Sequence, residues 1–207
     1  IGDGIKLPEQ DQHYFDDDRM PLFRKEFSTS KSIASARLFI SGLGYYEAYL
    51  NGEKIGDQVL DPGWTTYKKQ VLYAVHDITS LMREGRNVAG IMLGNGWWNP
   101  SPIKLFGRWD LRDYQEHGRP CVKAEIHIRY SNGSTDIVPT DNSWSTPPGP
   151  VIQNNVYLGE HYDARLEQAG WNTLRANKKI WKPAIEVSGP SGELSSQMQP
   201  PFRITRT

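Results

Sequence analysis

The sequence predicts an all-β fold, an antiparallel β-sandwich with one short helix. Three observations support this prediction. Segments of strand length recur at close spacing, two Asn-Gly dipeptides separate such segments, and only one segment has helical character. A closed β-barrel is the alternative architecture that these observations leave open.

The first dipeptide, Asn51-Gly52, predicts a β-hairpin. It follows an alternating segment and suits a two-residue turn whose central residues both need a positive φ. The stretch 35–42 before it and the stretch 70–75 after it have the composition of strands. The segment 87–94 is almost entirely apolar, which is typical of a strand buried on both faces.

The second dipeptide, Asn132-Gly133, predicts another hairpin. Apolar residues alternate with polar ones along 124–130, and His127 falls on the polar side, where it is expected to face solvent. Cys121 opens this stretch and is expected to be a buried strand residue rather than a nucleophile. It is the only cysteine, so no intrachain disulfide can form.

The single helix is predicted in the segment 76–87. Asp77 or Thr79 can cap it, Leu81 and Met82 give it an apolar side, and Gly85 ends it after about two turns. The stretch 95–119 has no periodicity and is rich in aromatic residues, which predicts a long functional loop.

Composition divides the chain into three parts. Residues 1–20 are predicted to be an irregular lead-in, in which the acidic run 16–18 is expected to be a solvated turn rather than a metal site. Residues 21–172 are predicted to form the sandwich. Residues 173–207 are poor in apolar residues and end on a strand-like segment, so they are predicted to be a linker and the first strand of a following, truncated β-domain.

Charge and motif content exclude several classes of protein. Lys+Arg and Asp+Glu both number 24, so no nucleic-acid or membrane partner is expected. No nucleotide-binding glycine motif or G-x-S-x-G elbow occurs, and the five His are never paired at metal-ligand spacing. Acidic residues near turns are not fixed as a facing pair, as glycoside hydrolysis requires, and Asp163 is expected to form a local ion pair with Arg165. The sequence therefore predicts no catalytic residue, no metal site and no cofactor within this chain.

Aromatic and amide side chains give the positive indication of function. Five of them lie on or beside predicted loops: Trp64, Asn95, Trp97, Trp98 and Asn99. Sugar rings pack on tryptophan and their hydroxyls bind to asparagine, so this set predicts a carbohydrate site. Since adjacent strand residues face opposite sides, only one of Trp97 and Trp98 is expected in the core. The alternative is that Trp64 and one of this pair anchor the core, or that an exposed tryptophan contacts a neighbouring domain. From this aromatic set, Trp98→Ala is expected to weaken sugar binding without a large loss of melting temperature.

Five motifs carry a family resemblance: YLNG, DPGWT, DIT, GNGWW and YDAR, in this order. They resemble the N-terminal domain of bacterial α-L-rhamnosidases, glycoside hydrolase family 78, over roughly residues 20–170. The resemblance implies a jelly-roll-like, galactose-binding-like sandwich, followed by a further β-domain and a helical barrel that carries the catalytic acids.

On this resemblance the chain is a non-catalytic module, architectural and able to contribute to substrate recognition. The parent enzyme would hydrolyse terminal α-L-rhamnosyl bonds with inversion, in the periplasm or outside the cell. The implied partners are a rhamnose-containing glycan or the parent's own catalytic domain. An autonomous carbohydrate-binding module for rhamnosylated glycans is the alternative.

The resemblance also concerns a calcium site. Some members of this family bind L-rhamnose through a calcium ion, and Asn95 and the carbonyl of Pro100 match part of that site. Where the family supplies an Asp-Asn pair, this chain has Leu43-Gly44. Calcium prefers six to eight oxygen ligands, so the loss of two is expected to weaken the site severely.

Overall fold

The computed structural model describes residues 1–3, 19–101, 104–105, 109–177 and 181–206. The acidic run 16–18 lies outside these residues. The elements in chain order are β1 Leu22–Thr29, β2 Ile33–Leu43, β3 Tyr46–Leu50, β4 Glu53–Lys54, β5 Gln58–Val59, β6 Gln70–Asp77, β7 Gly85–Leu93, β8 Lys104–Leu105, β9 Trp109–Asp110, α1 Leu111–Tyr114, β10 Cys121–Tyr130, β11 Thr135–Pro139, β12 Ser145–Thr146, β13 Val151–Asn155, β14 Gly159–Tyr162, β15 Lys182–Pro183, β16 Glu193–Ser196 and β17 Phe202–Arg203. No helix among them is long and apolar enough to cross a bilayer.

Two open sheets form the predicted all-β sandwich. One has the strand order β15-β12-β1-β7-β3-β4 and the other β11-β10-β2-β6-β16. Because each sheet has two free edges, the barrel alternative is wrong. The pairing of β16 with β6 is parallel, whereas the other strand pairs of the described residues are antiparallel.

The core lies between the facing sides of these sheets. Phe23 and Ile91 come from the first sheet, Ile40 and Ile126 from the second, and all four are at most 2 % exposed. Alternation along β10 buries its even-numbered residues, as predicted, while His127 stays on the outer side beside Glu125. Cys121 is buried, as expected, and burial raises the pKa of its thiol to about 11.

Both predicted hairpins are confirmed, with different turns. Asn51 and Gly52 have φ of 56° and 91°, as the two-residue turn between β3 and β4 requires. In the second hairpin only Gly133 has a positive φ, 85°, and Tyr130 closes the turn through hydrogen bonds with Gly133 and Ser134. The longer loop between β10 and β11 places the left-handed conformation on glycine alone.

The predicted helix is wrong in length and type. The segment forms a 3₁₀ turn over Thr79–Leu81, and β7 already begins at Gly85. Neither predicted cap residue occupies the N-cap position, which is Ile78, although Asp77 Oδ1 accepts a hydrogen bond of 2.9 Å from the Thr79 amide. The α-helix of the described residues is α1, a four-residue turn in the aromatic loop that periodicity did not predict.

The C-terminal segment also differs from its prediction. β15 pairs with β12, β16 with β6, and β17 with β5, so residues 182–203 add strands to this fold. The final strand-like segment therefore has a partner in this chain. The predicted boundary at residue 172 does not match these pairings, because the sandwich includes strands on both sides of it.

Candidate functional site

Two glycine-containing loops cross closely at one end of the sandwich. Gly44 has a φ of 112°, and a Cβ there would lie 2.0 Å from the Gly94 carbonyl oxygen. Gly96 has a φ of 49°, and its Cβ would lie 2.9 Å from the Tyr45 amide nitrogen. Only glycine fits such contacts, so these residues fix the turn that follows β7 against the turn that precedes β3.

An aromatic cluster of Trp64, Trp97 and Tyr157 lies beside this crossing. The rings of Trp64 and Trp97 are stacked, with centroids 4.6 Å apart and an interplanar angle of 11°. Tyr157 meets Trp97 edge to face at 5.7 Å. Trp64 is 46 % exposed and Tyr157 is 44 % exposed, so the cluster presents ring surface to solvent. The exposure of Trp64 disagrees with the alternative interpretation that it anchors the core.

A cleft of about 670 Å³ adjoins the cluster. Its wall combines rings of Tyr45, Trp97 and Tyr162 with the polar side chains of Asn154 and Glu160. The Trp97 indole donates a hydrogen bond to the hydroxyl of Tyr45, while burial has the larger effect and raises the pKa of that phenol. The cleft thus offers flat apolar faces next to hydrogen-bonding groups, which suits a ligand with both kinds of surface.

Trp98 points the other way, into the protein. It is 6 % exposed and packs with Leu43, Tyr67, Val71 and Cys121. Its Nε1 donates to the carbonyl of Arg119 at 3.1 Å, and Tyr67 meets its ring edge to face. Adjacent tryptophans do separate as predicted, and Trp98 is the buried one. A mild effect of Trp98→Ala on melting temperature is therefore no longer expected, because the substitution leaves a cavity in this buried cluster.

Asn95 and Asn99 are also buried, at 1 % and 0 % exposure. Asn95 Nδ2 donates to the Asn154 carbonyl at 2.9 Å, and Asn99 Nδ2 donates to Asn95 Oδ1 at 2.9 Å. Arg112 completes this series of hydrogen bonds by donating from Nη1 to Asn99 Oδ1 at 2.9 Å. These hydrogen bonds join the turn after β7 to β13 and α1, a role that loop position alone did not reveal.

Comparison with known proteins identifies the family. Residues 31–206 match the α-L-rhamnosidase N-terminal domain. An α-L-rhamnosidase of Formosa agariphila is 35 % identical over 181 residues, which are 87 % of this chain and 19 % of that protein. The chain belongs to the α-L-rhamnosidase N-terminal domain family.

Solved structures agree with this assignment. The α-L-rhamnosidase of Dictyoglumus thermophilum is 42 % identical, with a TM-score of 0.81, and the match covers 91 % of this chain and 20 % of that one. The Streptomyces avermitilis α-L-rhamnosidase, solved in complex with L-rhamnose, is 32 % identical, with a TM-score of 0.82 and coverage of 92 % and 18 %. This rhamnosidase domain spans about a fifth of the relatives that it matches.

Calcium does not fit the residues that this rhamnosidase domain places at the matching positions. Gly44 leaves no space for an oxygen-bearing side chain, and the Oδ1 of Asn95 already accepts from Asn99. The Pro100 carbonyl accepts from Arg112 Nη1 at 3.0 Å, so a guanidinium cation lies where a metal ion would have to bind. No group of three or more His, Cys, Asp or Glu side chains able to hold a metal occurs among the described residues.

Several carboxylates of the described residues are engaged in local contacts. Asp163 pairs with Arg165 at 2.6 Å and caps the 3₁₀ turn Ala164–Leu166, which confirms the expected ion pair. Hydrogen bonds from Arg165 lower the pKa of Asp163 to about 2. Asp57, Asp77 and Asp141 have pKa values below the usual range for the same reason, that is, hydrogen bonds from neighbouring side chains.

Sequence reasoning missed Tyr157, Arg112 and Asn154. Tyr157 lies in the YLGEHYDAR stretch, whose aromatic residues were the available signal. Arg112 and Asn154 have no such signal, because their role depends on the long-range approach of α1 and β13 to the turn after β7.

Proposed function

We propose that this domain is the non-catalytic N-terminal β-sandwich of an α-L-rhamnosidase and contributes a carbohydrate-contacting surface to it. The observation that carries the proposal is the exposed Trp64–Trp97 stack beside the cleft. The C–H face of a pyranose packs on such a ring, while Asn154 and Glu160 provide groups for its hydroxyls. The larger enzyme would hydrolyse terminal α-L-rhamnosyl bonds, outside the cytoplasm as the family resemblance implies.

The state of the carboxylates supports a non-catalytic role. A glycosidase general acid needs a raised pKa and a second carboxylate facing it across the sugar. Where a carboxyl pKa of the described residues departs from its usual range, it is lowered. Glu47, an acidic residue of the cleft on β3, accepts hydrogen bonds from the hydroxyl of Tyr49 and the ammonium group of Lys54, both at 2.6 Å.

Calorimetric titration with L-rhamnose and a rhamnosylated oligosaccharide, with and without calcium, tests the proposal. We expect saturable binding that does not depend on calcium. Trp97→Ala should weaken it on the order of tenfold, which corresponds to about 1.4 kcal/mol. Ile137→Ala is the control, since Ile137 is an exposed apolar residue of β11, in the other sheet from β3 and β7.

Two other outcomes separate the alternatives. Micromolar binding by this chain alone would favour an autonomous carbohydrate-binding module. A flat titration, together with tight binding to the separately expressed remainder of the enzyme, would favour a purely architectural domain. Turnover of an aryl α-L-rhamnoside by this chain, abolished by replacing one of its own acids, would contradict the non-catalytic assignment.

A further inference from the structure

A second, polar pocket lies away from the aromatic cluster. It has a volume of about 460 Å³ and is bounded by β5, β6 and the C-terminal segment that carries β16 and β17. Gln58, Asp61 and His76 line it from the sandwich, and Gln197 and Arg203 from the C-terminal segment. It shares no lining residue with the cleft beside Trp97.

Two nearly buried polar side chains of this pocket have unused hydrogen-bonding capacity. Asp61 is 3 % exposed, and its Oδ1 accepts from Gln197 Nε2 at 3.1 Å, whereas its Oδ2 accepts no hydrogen bond from the described residues. Gln58 is 6 % exposed; its Nε2 donates to the Ile55 carbonyl, and its Oε1 accepts no hydrogen bond from them. Neither oxygen is among the fully buried polar atoms of the described residues that have no partner, so both keep access to solvent and can accept hydrogen bonds from water or a ligand.

His76 adds a donor to the same pocket. The Tyr46 hydroxyl lies 3.0 Å from His76 Nε2. Burial raises the pKa of Tyr46 far above its ordinary value, so its hydroxyl keeps its proton. Gln58 Nε2, which can only donate, lies 3.4 Å from the same ring nitrogen, so His76 Nε2 is the acceptor of both groups. Burial also lowers the pKa of His76, which therefore stays neutral with its own proton on Nδ1. No hydrogen bond of Nδ1 to the described residues uses that proton.

The rim of the pocket is already paired. Arg203 Nε donates to Asp57 Oδ1 at 2.7 Å, so the two charges compensate each other there. The interior keeps the uncompensated carboxylate of Asp61, which disfavours an anionic ligand. A metal ion is disfavoured as well, because no group of three or more His, Cys, Asp or Glu side chains able to hold one occurs in the part of the chain that the structure describes.

We propose that the polar pocket binds one uncharged pyranose unit through Asp61, Gln58 and His76. Each sugar hydroxyl both donates and accepts, so adjacent hydroxyls can donate to Asp61 Oδ2 and Gln58 Oε1 and accept from His76 Nδ1. Ala74 and Val75 add an apolar wall to the same pocket. This proposal depends on the proposed carbohydrate function only for the choice of L-rhamnose as the first sugar to be tested.

Nuclear magnetic resonance of the 207-residue chain tests the pocket directly. The imidazole ¹⁵N resonances of His76, assigned by their loss in His76→Gln, are followed during titration with L-rhamnose, D-galactose or D-glucose. We expect Nδ1 to shift with at least one of these sugars. Asp61→Asn should weaken that binding at least tenfold, since it replaces the free carboxylate acceptor by a donor while preserving shape. Asp57→Asn is the matched control and should change the affinity no more than twofold, because Asp57 lies on the paired rim.

The outcomes separate this site from the one at Trp97. If Asp61→Asn loses its fold, Gln58→Ala removes the second acceptor and is expected to weaken binding too. Sugar in the pocket of a soaked crystal would support the proposal; ordered water alone, with an unshifted His76 ring for all three sugars, would overturn it. If Trp97→Ala loses the calorimetric binding but the His76 resonances still shift with sugar, the proposal for the polar pocket stands and the site is separate from Trp97. If Asp61→Asn loses the His76 shift but keeps the calorimetric binding, the proposal for the aromatic cluster stands.

Discussion

At the scale of single residues, the two adjacent tryptophans of the loop after β7 have different environments, one in the core and one at the surface. Trp98 fills a small cluster of buried residues, and Trp97 is stacked on Trp64 at the surface. The same division applies to the asparagines, since Asn95 and Asn99 support the loop from inside. Of the predicted carbohydrate set, therefore, Trp64 and Trp97 retain exposed or half-exposed ring surface. Their contact with sugar stays a prediction.

Trp98→Ala is expected to destabilise the domain by about 3–5 kcal/mol, because it leaves a cavity in a buried cluster and an unpaired Arg119 carbonyl. Urea unfolding followed by circular dichroism measures this loss. Trp64→Ala serves as the matched control and should cost about 1 kcal/mol or less, since only one stacked ring, about half exposed, is removed. Equal losses for the two variants would contradict the division between core and surface.

At the scale of elements, sequence patterns predicted strands where alternation or turn chemistry is local. β2, β6, β7 and β10 follow their predicted segments, and Asn51-Gly52 has the turn geometry that its residue types demand. The helix prediction was wrong because Gly85 starts a strand paired with β1, and strand pairing is a long-range contact that outweighed local periodicity. The aromatic cluster was partly predictable from residue type, whereas the Arg112–Asn99–Asn95 chain was not.

The joint between β3 and β6 leads to a prediction about pH. His76 on β6 meets Tyr46 on β3, Gln58 and Asp61 lie nearby, and burial lowers the pKa of His76 below its ordinary value of 6.5. Below pH 6.5 the unfolded chain therefore binds a proton at this histidine before the folded chain does. The free energy of unfolding should be unaffected by His76 above pH 6.5 and should fall as the pH drops from 6.5 toward the lowered pKa.

His76→Gln is the appropriate comparison, because glutamine can still accept from Tyr46 but does not titrate. Urea unfolding between pH 7.5 and 5.5 should show the stability of the wild-type chain decreasing relative to that of the variant. Parallel curves for the two proteins would mean that the His76 ring takes up its proton equally in both states.

At the scale of the whole molecule, the C-terminal segment belongs to the sandwich that it was predicted to leave. Gln197 links it to the turn before Trp64, accepting from the Gly63 amide at 2.8 Å and donating to Asp61. A segment of weak apolar content can still be integral, because main-chain pairing with β6 and β5 does not depend on side-chain hydrophobicity. The polar pocket exists only while this segment is in place, so stability and binding should respond to it together.

Ending the chain at Gly192 removes β16 and β17 and tests this integration. Each lost main-chain hydrogen bond is worth roughly 1 kcal/mol, and the buried carboxylate of Asp61 loses its Gln197 donor. We expect the free energy of unfolding to fall by at least about 3 kcal/mol. We also expect the shift of the His76 resonances with sugar to disappear. A chain that ends at Arg203 keeps both strands and should unfold at the urea midpoint of the full chain. If the chain that ends at Gly192 also kept that urea midpoint, the C-terminal segment would be peripheral to the sandwich. That result would agree with the prediction that residues 173–207 begin with a linker.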